Sequence, residues 1–246
     1  MLRALLASAL LVSVTALWTA CDSKATTPEA PAPIVASDAA AAAPPPPPAP
    51  TAPEIIVDRS NIDIGKNRVA TGEPGLTDKI AVFLRGSPGL AGAVVDVVAM
   101  RSVKPSQVQA VLTALRQANV ASVDVKTETR EGETRKLPLF WPKTLPDCAT
   151  MAWIAKDAAI DIWPVGGGAA KRVIRGLAGP DLTLGMEAFQ KQAADCQASY
   201  FVVGADDAMS WGVVFDLAMA ALHQPWTRTS GAELLASAVP GHKVAL

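Results

Sequence analysis

A nucleophilic serine needs a sharp turn between a strand and a helix, of the pattern G-x-S-x-G, and a base within hydrogen-bonding distance. Ser210 stands in the order Ala-Met-Ser-Trp-Gly after an apolar run that ends at Gly204. Alanine replaces the first glycine, and the serine lies too far beyond the run for a sharp turn. We therefore expect Ser210 to cap the helix that follows it. The alternative is that Ser210 acts as a nucleophile, in which case the protein would be a hydrolase of the cell envelope.

Two neighbouring carboxylates, Asp206 and Asp207, precede this serine. Such a pair is able to bind a cation or to act as acid and base, but adjacent carboxylates in a loop more often cap a helix or stay in solvent. His223 lies near the expected end of a helix, where a polar group needs no catalytic role. The sequence therefore predicts a protein that is not an enzyme and holds no cofactor. If the protein is a hydrolase instead, Asp206 and Asp207 are the other candidates for its catalytic residues.

The N-terminus has the parts of an export signal. Arg3 supplies a positive charge, Ala4–Leu17 forms an apolar run, and small residues precede Cys21. The order Leu-Trp-Thr-Ala-Cys resembles a bacterial lipoprotein signal, although Trp18 stands where an aliphatic residue is usual. The resemblance implies a signal peptide over residues 1–20 and a lipid such as palmitate on the cysteine. An ordinary secretory signal is the alternative, and the run is short for a helix that crosses a bilayer.

Residues 21–53 are rich in proline and alanine, and half of the 20 prolines of the chain lie there. The segment lacks the periodic apolar side chains that would compensate for the loss of chain entropy, so we predict a disordered tether. At about 3.1 Å per residue in polyproline geometry, about thirty residues reach roughly 90 Å. Asp22 after the cysteine resembles the inner-membrane retention signal of enterobacteria. That rule does not transfer to all bacteria, so the choice between inner and outer membrane stays open.

The other two cysteines, Cys148 and Cys196, remain once Cys21 is assigned to a lipid. Two cysteines in an oxidising compartment favour a disulfide, and two buried thiols are the alternative. The only histidines of the sequence, His223 and His242, lie far from both cysteines, so we predict no metal site. The formal net charge of −1 and the scattered lysines and arginines give no electrostatic case for nucleic acid as a partner.

One pattern of elements occurs twice after the tether. Residues Val94–Thr127 predict a strand, a loop, an amphipathic helix and a second strand. The apolar run Tyr200–Gly204 repeats the first strand 106 residues later. At the same offset the helical stripe of Val108, Val111, Leu112 and Leu115 maps onto Val214, Leu217, Ala218 and Ala221, and Leu76, Ile80 and Phe83 map onto Leu182, Met186 and Phe189. This common order indicates a duplication.

The duplication sets the predicted fold class. We expect an α+β protein with two tandem two-layer units of the order β-β-α-β-α-β, after the signal peptide and the disordered Pro/Ala-rich linker. The units cover residues 54–136 and 137–246. Ile62–Ile64 maps onto Ile160–Ile162 at an offset of only 98, which predicts an insertion around Gly166–Gly179. The second unit should also contain a turn at Gly166–Gly168, an extra helix over Ala232–Ala238 and a closing strand over Val244–Leu246.

Both units resemble the periplasmic domains of the ExbD/TolR family, which run strand, turn, strand, helix, strand, helix, strand. Ser102–Val120 looks like the family segment D-V-P-Y-G-R-V-V-x-V-L-D-x-L-R-x-A-G-V, and Gly65–Asn67 stands in the place of the early turn. In the second unit Ala205–Val214 is similar to R-A-D-x-x-V-P-Y-G-x-V, with a Trp-Gly pair in the place of Tyr-Gly.

The resemblance implies a function at the cell envelope. Family members cross the membrane through one helix whose aspartate takes part in proton-driven motion, and residues 1–20 contain no acidic residue. We therefore expect a membrane-anchored binding or scaffolding lipoprotein on the periplasmic side, without the proton-conducting helix. The implied partners are envelope proteins of an ExbB/TolQ-like or TonB/TolA-like system, or peptidoglycan, besides the membrane itself. A second copy of the chain is a further candidate partner.

The two loops that lead from a strand into a helix, Arg101–Gln107 and Asp206–Gly212, form the surface that we expect to meet a partner. The predicted partner-binding residues are Arg101, Lys104, Asp206, Asp207 and Trp211. An exposed tryptophan at position 211 would suit a partner contact, and a core tryptophan is the alternative.

Overall fold

A computed structural model describes most of the chain beyond the proline-rich segment, over residues 52–87, 89–194, 196–224, 230–235 and 237–244. These residues belong to one compact unit. The predicted signal peptide, the predicted lipid carrier Cys21 and all of the predicted linker except residues 52 and 53 lie outside the described residues. Within the described ranges, no helix combines the length and the apolar character needed to cross a membrane.

The described residues form strands and helices that alternate as an α+β protein requires. The strands are β1 (Ile55–Val57), β2 (Asn61–Ile64), β3 (Asn67–Ala70), β4 (Val94–Ala99), β5 (Ser122–Glu128), β6 (Thr134–Leu139), β7 (Thr150–Ile154), β8 (Ile160–Pro164), β9 (Lys171–Val173), β10 (Tyr200–Ala205) and β11 (Gly231–Leu235). The helices are α1 (Leu76–Arg85), α2 (Pro105–Gln117), α3 (Leu182–Ala193) and α4 (Trp211–Leu222).

Local sequence determines where the helices begin and end. Pro105 opens α2, where its missing N–H costs nothing and its fixed φ suits the first turn. Asp181 caps α3, because its carboxylate accepts a hydrogen bond from the Leu184 N–H at 3.0 Å. Asn119 follows α2 with φ at 58°, the left-handed conformation that its sequence position predicts for a helix stop.

All of these strands join one mixed sheet in the order β3-β2-β1-β4-β5-β6-β11-β10-β7-β8-β9. The first half of the sheet contains β1 to β5. Here β1, β2 and β3 are antiparallel neighbours, β4 lies parallel beside β1, and β5 lies parallel beside β4. The second half of the sheet contains β7 to β11. Here β7, β8 and β9 are antiparallel neighbours, β10 lies parallel beside β7, and β11 lies parallel beside β10. The α+β class is confirmed. Each half, however, begins with three strands instead of the predicted two.

Strand β6 joins the halves, so the two predicted units do not form separate sheets. It pairs antiparallel with β5 and parallel with β11, and it spans the predicted boundary between residues 136 and 137. The predicted boundary falls within this strand, and the apolar residues Leu137 and Leu139 are fully buried members of the shared core. The two halves therefore share one sheet.

The halves agree in pairing register as well as in strand order. Val57 lies opposite Ala99 across β1 and β4, and Ile154 lies opposite Ala205 across β7 and β10. Ala99 and Ala205 are 106 residues apart, which is the offset that the repeated pattern predicts.

A cross-strand ion pair also recurs at equivalent positions. Asp63 lies opposite Arg68 across β2 and β3, and Asp161 lies opposite Arg172 across β8 and β9. Both pairs are hydrogen-bonded, at 2.6 Å and 2.7 Å. The aspartates are 98 residues apart and the arginines 104, so most of the predicted insertion lies between β8 and β9.

The core lies between the helices and one face of the sheet. Alternate residues of strands from both halves, such as Val97 and Val203, join the inward residues of all four helices in one hydrophobic cluster. The other face differs between the halves. In the second half Trp153 and Trp163 form a second buried cluster with Val244 of the C-terminal segment. In the first half that face is open.

Charged side chains lie on the solvent-exposed face of the first half. Lys126 forms an ion pair with Asp96 at 2.5 Å, and Lys136 contacts both Asp96 and Asp124 at 3.4 and 3.3 Å. Because these strands alternate between apolar residues that face the helices and charged residues that face solvent, they show the two-residue period of a half-buried sheet.

One predicted element at the C-terminal end is wrong. Residues 231–235 are strand β11, in register with β10 from Tyr200 to Gly204, instead of the helix predicted over Ala232–Ala238. The helix-forming residues of this run pair with a buried parallel strand because tertiary context overrides local propensity. Val244, the first residue of the predicted closing strand, lies in no strand and is buried in the second cluster. Residues 245 and 246 lie outside the described residues.

Candidate functional site

The two loops predicted to bind a partner are hydrogen-bonded to each other. The backbone N–H of Trp211 donates to the Val103 carbonyl at 2.7 Å, and that of Gly212 donates to the Arg101 carbonyl at 2.8 Å. We call this contact the loop junction, formed by residues 101–107 and 206–212. Most of the hydrogen-bonding groups expected to face a partner are therefore used within the chain.

Arg101 is the centre of the loop junction. Its guanidinium donates two hydrogen bonds to the Asp216 carboxylate, at 2.9 and 2.7 Å, and one to the Glu128 carbonyl at 3.0 Å. Arg130 donates a further hydrogen bond to Asp216 at 2.9 Å. The hydrogen bonds to Asp216 raise the pKa of Arg101. This paired geometry joins the first half to helix α4, and it leaves Arg101 little freedom to bind a separate partner.

The two aspartates of the second loop have structural partners. Asp207 accepts hydrogen bonds from the Ser106 N–H at 3.0 Å and from the Ser106 hydroxyl at 2.6 Å. It therefore places a negative charge at the N-terminus of α2, where the helix dipole favours one. Asp206 accepts a hydrogen bond from the Ala208 N–H at 2.8 Å.

The contacts of the loop junction are reciprocal. Residue 101 of the first loop contacts Gly212, the second residue of α4. Residue 207, its equivalent at an offset of 106, contacts Ser106, the second residue of α2. Reciprocal contacts between equivalent positions are the property of a two-fold interface.

Trp211 is fully buried, so its side chain does not face a partner. Its indole N–H donates to the Thr127 hydroxyl of β5 at 2.8 Å, and its ring lies 6.2 Å from that of Phe215. Of the two alternatives for this residue, the structure shows the core tryptophan. Lys104, in contrast, is exposed at the start of α2, and it is the only predicted partner-binding side chain that is exposed without a described side-chain partner.

Ser210 precedes α4 as its N-cap residue, but its side chain makes no capping hydrogen bond. Among the described residues, no histidine or carboxylate is hydrogen-bonded to its hydroxyl. The described part of the chain also contains no group of three histidine, cysteine or acidic residues able to hold a metal ion. Gly167, in the predicted turn, has φ at 90°, and the Gly168 N–H donates to the Gly241 carbonyl at 2.9 Å.

Cys148 and Cys196 are joined, with their sulfur atoms 2.11 Å apart and a sequence separation of 48 residues. The bond connects the segment before β7 to the segment before β10, so it lies beside the central strand pair of the second half. The disulfide alternative is therefore the one that the structure contains.

A large opening on the described surface lies elsewhere, between β9 and α3. It is a groove of about 660 Å³, and we call it the β9–α3 groove. Its floor contains Val173 and Ala188, and lysines stand at its rim. This groove was not predicted from the sequence, although the mixture of basic and aliphatic residues from Lys171 to Leu177 is a visible signal.

A second feature missed from sequence is the buried carboxylate of Glu233. It lies in β11, where only 3% of the residue is exposed, and its Oε2 atom has no hydrogen-bond partner. The guanidinium of Arg116 is 3.6 Å from its other oxygen. Burial raises the pKa of Glu233 to about 7, and the arginine only partly opposes this effect.

Comparison of the chain with known proteins gives no matching family model, no matching curated protein and no matching solved structure. The resemblance to the ExbD/TolR family therefore rests on the residues quoted for it.

Proposed function

We propose that the folded part of this chain is a duplicated ExbD/TolR-like unit on a lipoprotein, and that the protein acts by binding or scaffolding at the periplasmic side of the cell envelope. The observation that best supports the duplication is the agreement of the two halves in strand order and register, including the Asp63–Arg68 and Asp161–Arg172 pairs. Unrelated halves would have no reason to place the same ion pair across the same two strands.

The loop junction supports the same proposal. Equivalent residues of the two loops make reciprocal contacts, as two subunits of a symmetric dimer do. A duplication that fused two such subunits would produce this arrangement within one chain. The halves would then act as one body that presents its outer surfaces to partners.

A binding role agrees with the contacts of the residues that were the candidates for catalysis. Asp206 and Asp207 hold backbone and side-chain donors in place, and Ser210 has no hydrogen-bonded base among the described residues. Under this proposal a lipid on Cys21 holds the protein at a membrane and the tether provides reach. Peptidoglycan and envelope proteins of an ExbB/TolQ-like or TonB/TolA-like system are the partners that the resemblance implies.

Pull-down from cell envelopes tests the binding function. We expect the purified protein to sediment with isolated peptidoglycan, or to form reproducible crosslinks to envelope proteins, and a Cys21→Ser variant to leave the membrane fraction. The proposal fails if neither peptidoglycan nor any envelope protein is captured. It also fails if the protein hydrolyses ester or glycan substrates and a Ser210→Ala variant loses that activity.

A further inference from the structure

We propose that the β9–α3 groove binds an extended acidic segment of a partner protein, which inserts aliphatic side chains between the edge strand and the helix. This inference deepens the proposed binding function and rests on it. It is carried by the shape of the groove, by its apolar lining and by its unbalanced charge.

The groove lies at one end of the sheet. Strand β9 has β8 on one side and is the last strand in the order of the sheet, and α3 forms the opposite wall. A volume of about 660 Å³ lies within the range of small-molecule pockets, and it is large enough for several side chains of a peptide. An edge strand beside a groove is a common place for an extended segment to dock.

The floor and sides of the groove, which a bound partner would cover, are apolar. Val173 and Ala188 at the floor are 7% and 8% exposed, whereas Ile174 and Leu184 at the sides are 75% and 47% exposed. Aliphatic side chains exposed together around a concave surface mark an interaction site more often than scattered ones do. A partner that placed its own aliphatic side chains on the floor would cover all four residues.

The charge of the rim selects the partner. Lys171, Arg172 and Lys191 line the groove, and Glu187 is the one carboxylate among its lining residues. Arg172 is already paired with Asp157 and Asp161, at 2.6 and 2.7 Å. The two lysines have no ion pair within the described residues, so a carboxylate-bearing segment would supply the missing charge.

The equivalent edge of the first half differs in size and charge. Its opening between β3 and α1 is about 200 Å³. Lys79, at its side, is paired with Glu73, so that its charge is already balanced. This edge therefore serves as an internal comparison, and we do not expect it to bind the same segment.

An anionic membrane is the other surface that basic and aliphatic residues could meet. A flat bilayer cannot reach the floor of a concave groove, and it would first contact the protruding Leu177, which is fully exposed on the following loop and does not line the groove. The shape therefore favours a peptide segment. Dependence on Leu177 separates the two cases.

The test uses the full-length protein in detergent and three fluorescein-labelled nonapeptides. One alternates leucine with aspartate, one alternates leucine with lysine, and one alternates glycine with aspartate. We expect saturable anisotropy binding of the first peptide alone. The combined Lys171→Glu and Lys191→Glu variant, and separately Leu184→Asp, should each weaken it about tenfold or more. The variants Leu177→Asp and Lys156→Glu, outside the groove, should bind within about twofold of the original protein.

Several results would overturn the groove proposal. These are no binding of the leucine–aspartate peptide, equal binding of all three peptides, or unchanged binding by the groove variants. Flotation of the Cys21→Ser protein with phosphatidylglycerol vesicles that is lost when Leu177→Asp is added, together with no peptide binding, would assign the patch to a membrane instead. If the groove variants still capture peptidoglycan or envelope proteins, the groove proposal fails and the binding function stands. If the protein captures nothing at all, the proposed function fails as well.

Discussion

The carboxylate of Asp216 accepts hydrogen bonds from two arginines, Arg101 and Arg130, that both precede it by more than eighty residues. The side chains of Arg101 and Asp216 are 26% and 15% exposed, so water screens their attraction less than at an open surface. Removing one partner from such a pair leaves a partly buried charge without compensation. We therefore regard this cluster as the main polar contact that holds α4 against the first half.

An Asp216→Asn variant tests that role. It keeps the size of the side chain and removes its charge, so we expect a loss of about 2 kcal/mol in the free energy of unfolding, less than for a fully buried pair. Asp96→Asn is the matched control, because Asp96 pairs with lysines on the open face, and it should cost less than about 1 kcal/mol. Urea unfolding followed by circular dichroism gives both values. Equal losses would show that the loop junction contributes no more to the free energy of unfolding than an ion pair on the open face does.

Glu233 should make the folded state more stable in mild acid. Burial raises its pKa from 4.5 to about 7 in the folded state, so between these values the folded protein holds a proton that the unfolded chain releases. Its contribution is complete below pH 4.5 and is lost as the pH rises through 7, with a limit of about 3 kcal/mol. We expect urea unfolding to show this slope between pH 5 and 7.5 in the original protein and to lack it in Glu233→Gln. Identical slopes would contradict a buried, proton-holding Glu233.

At the scale of elements, helices α1 and α3 begin at equivalent positions but face the core differently. Ile80 of α1 is fully buried, whereas Met186, its predicted match, is only partly buried. On α3 the residues Gly185 and Phe189 face the core instead. The match therefore fails by about one residue, because two runs with helical spacing can be aligned at neighbouring registers when only apolar class is compared.

Gly185 allows α3 to approach the sheet, and this can be measured. A Cβ atom at this position would lie 2.7 Å from Cδ1 of Ile160, which is fully buried. We expect Gly185→Ala to destabilise the protein by about 1–3 kcal/mol through overpacking. Gly86→Ala, in open space with φ at −89°, should be neutral or stabilising by up to about 1 kcal/mol. Thermal unfolding of both variants compares them, and a harmless Gly185→Ala would place α3 farther from the sheet.

Strands and helices with strong periodicity could be predicted from the sequence, and the contacts between the halves could not. The buried stripes of α2 and α4 agree with the predicted pairs such as Val108 and Val214, because a core-facing helix repeats every 3.6 residues. The loop junction depends on two segments more than 100 residues apart, and nothing in either loop specifies its partner. The same holds for β11, whose strand form follows from its place beside β10.

At the scale of the whole molecule, one sheet and one core run through both halves. The second half carries two further constraints, the Cys148–Cys196 disulfide and the C-terminal segment that covers Trp163, whose indole N–H donates to the His242 carbonyl at 2.9 Å. The first half has neither. We therefore expect the first half to depend on the shared sheet and the loop junction for its stability.

Removal of the disulfide tests the contribution of the second half. A bond that closes a segment of 48 residues stabilises the folded chain by about 4 kcal/mol in the chain-entropy account, and measured losses range from about 2 to 5 kcal/mol. The paired variant Cys148→Ser with Cys196→Ser should show such a loss in urea unfolding. Dithiothreitol should lower the stability of the original protein to a similar value and leave the variant unchanged. A variant as stable as the oxidised protein would contradict this prediction.

The central claim is that two copies of one unit are joined into a single cooperative body, and hydrogen exchange measured by mass spectrometry tests it most directly. We predict that the amides of β4 and β10 exchange with free energies of opening within about 1 kcal/mol of each other, and that Asp216→Asn lowers both together. If β10 kept its protection in this variant while β4 lost it, the halves would open independently, and the claim would be contradicted.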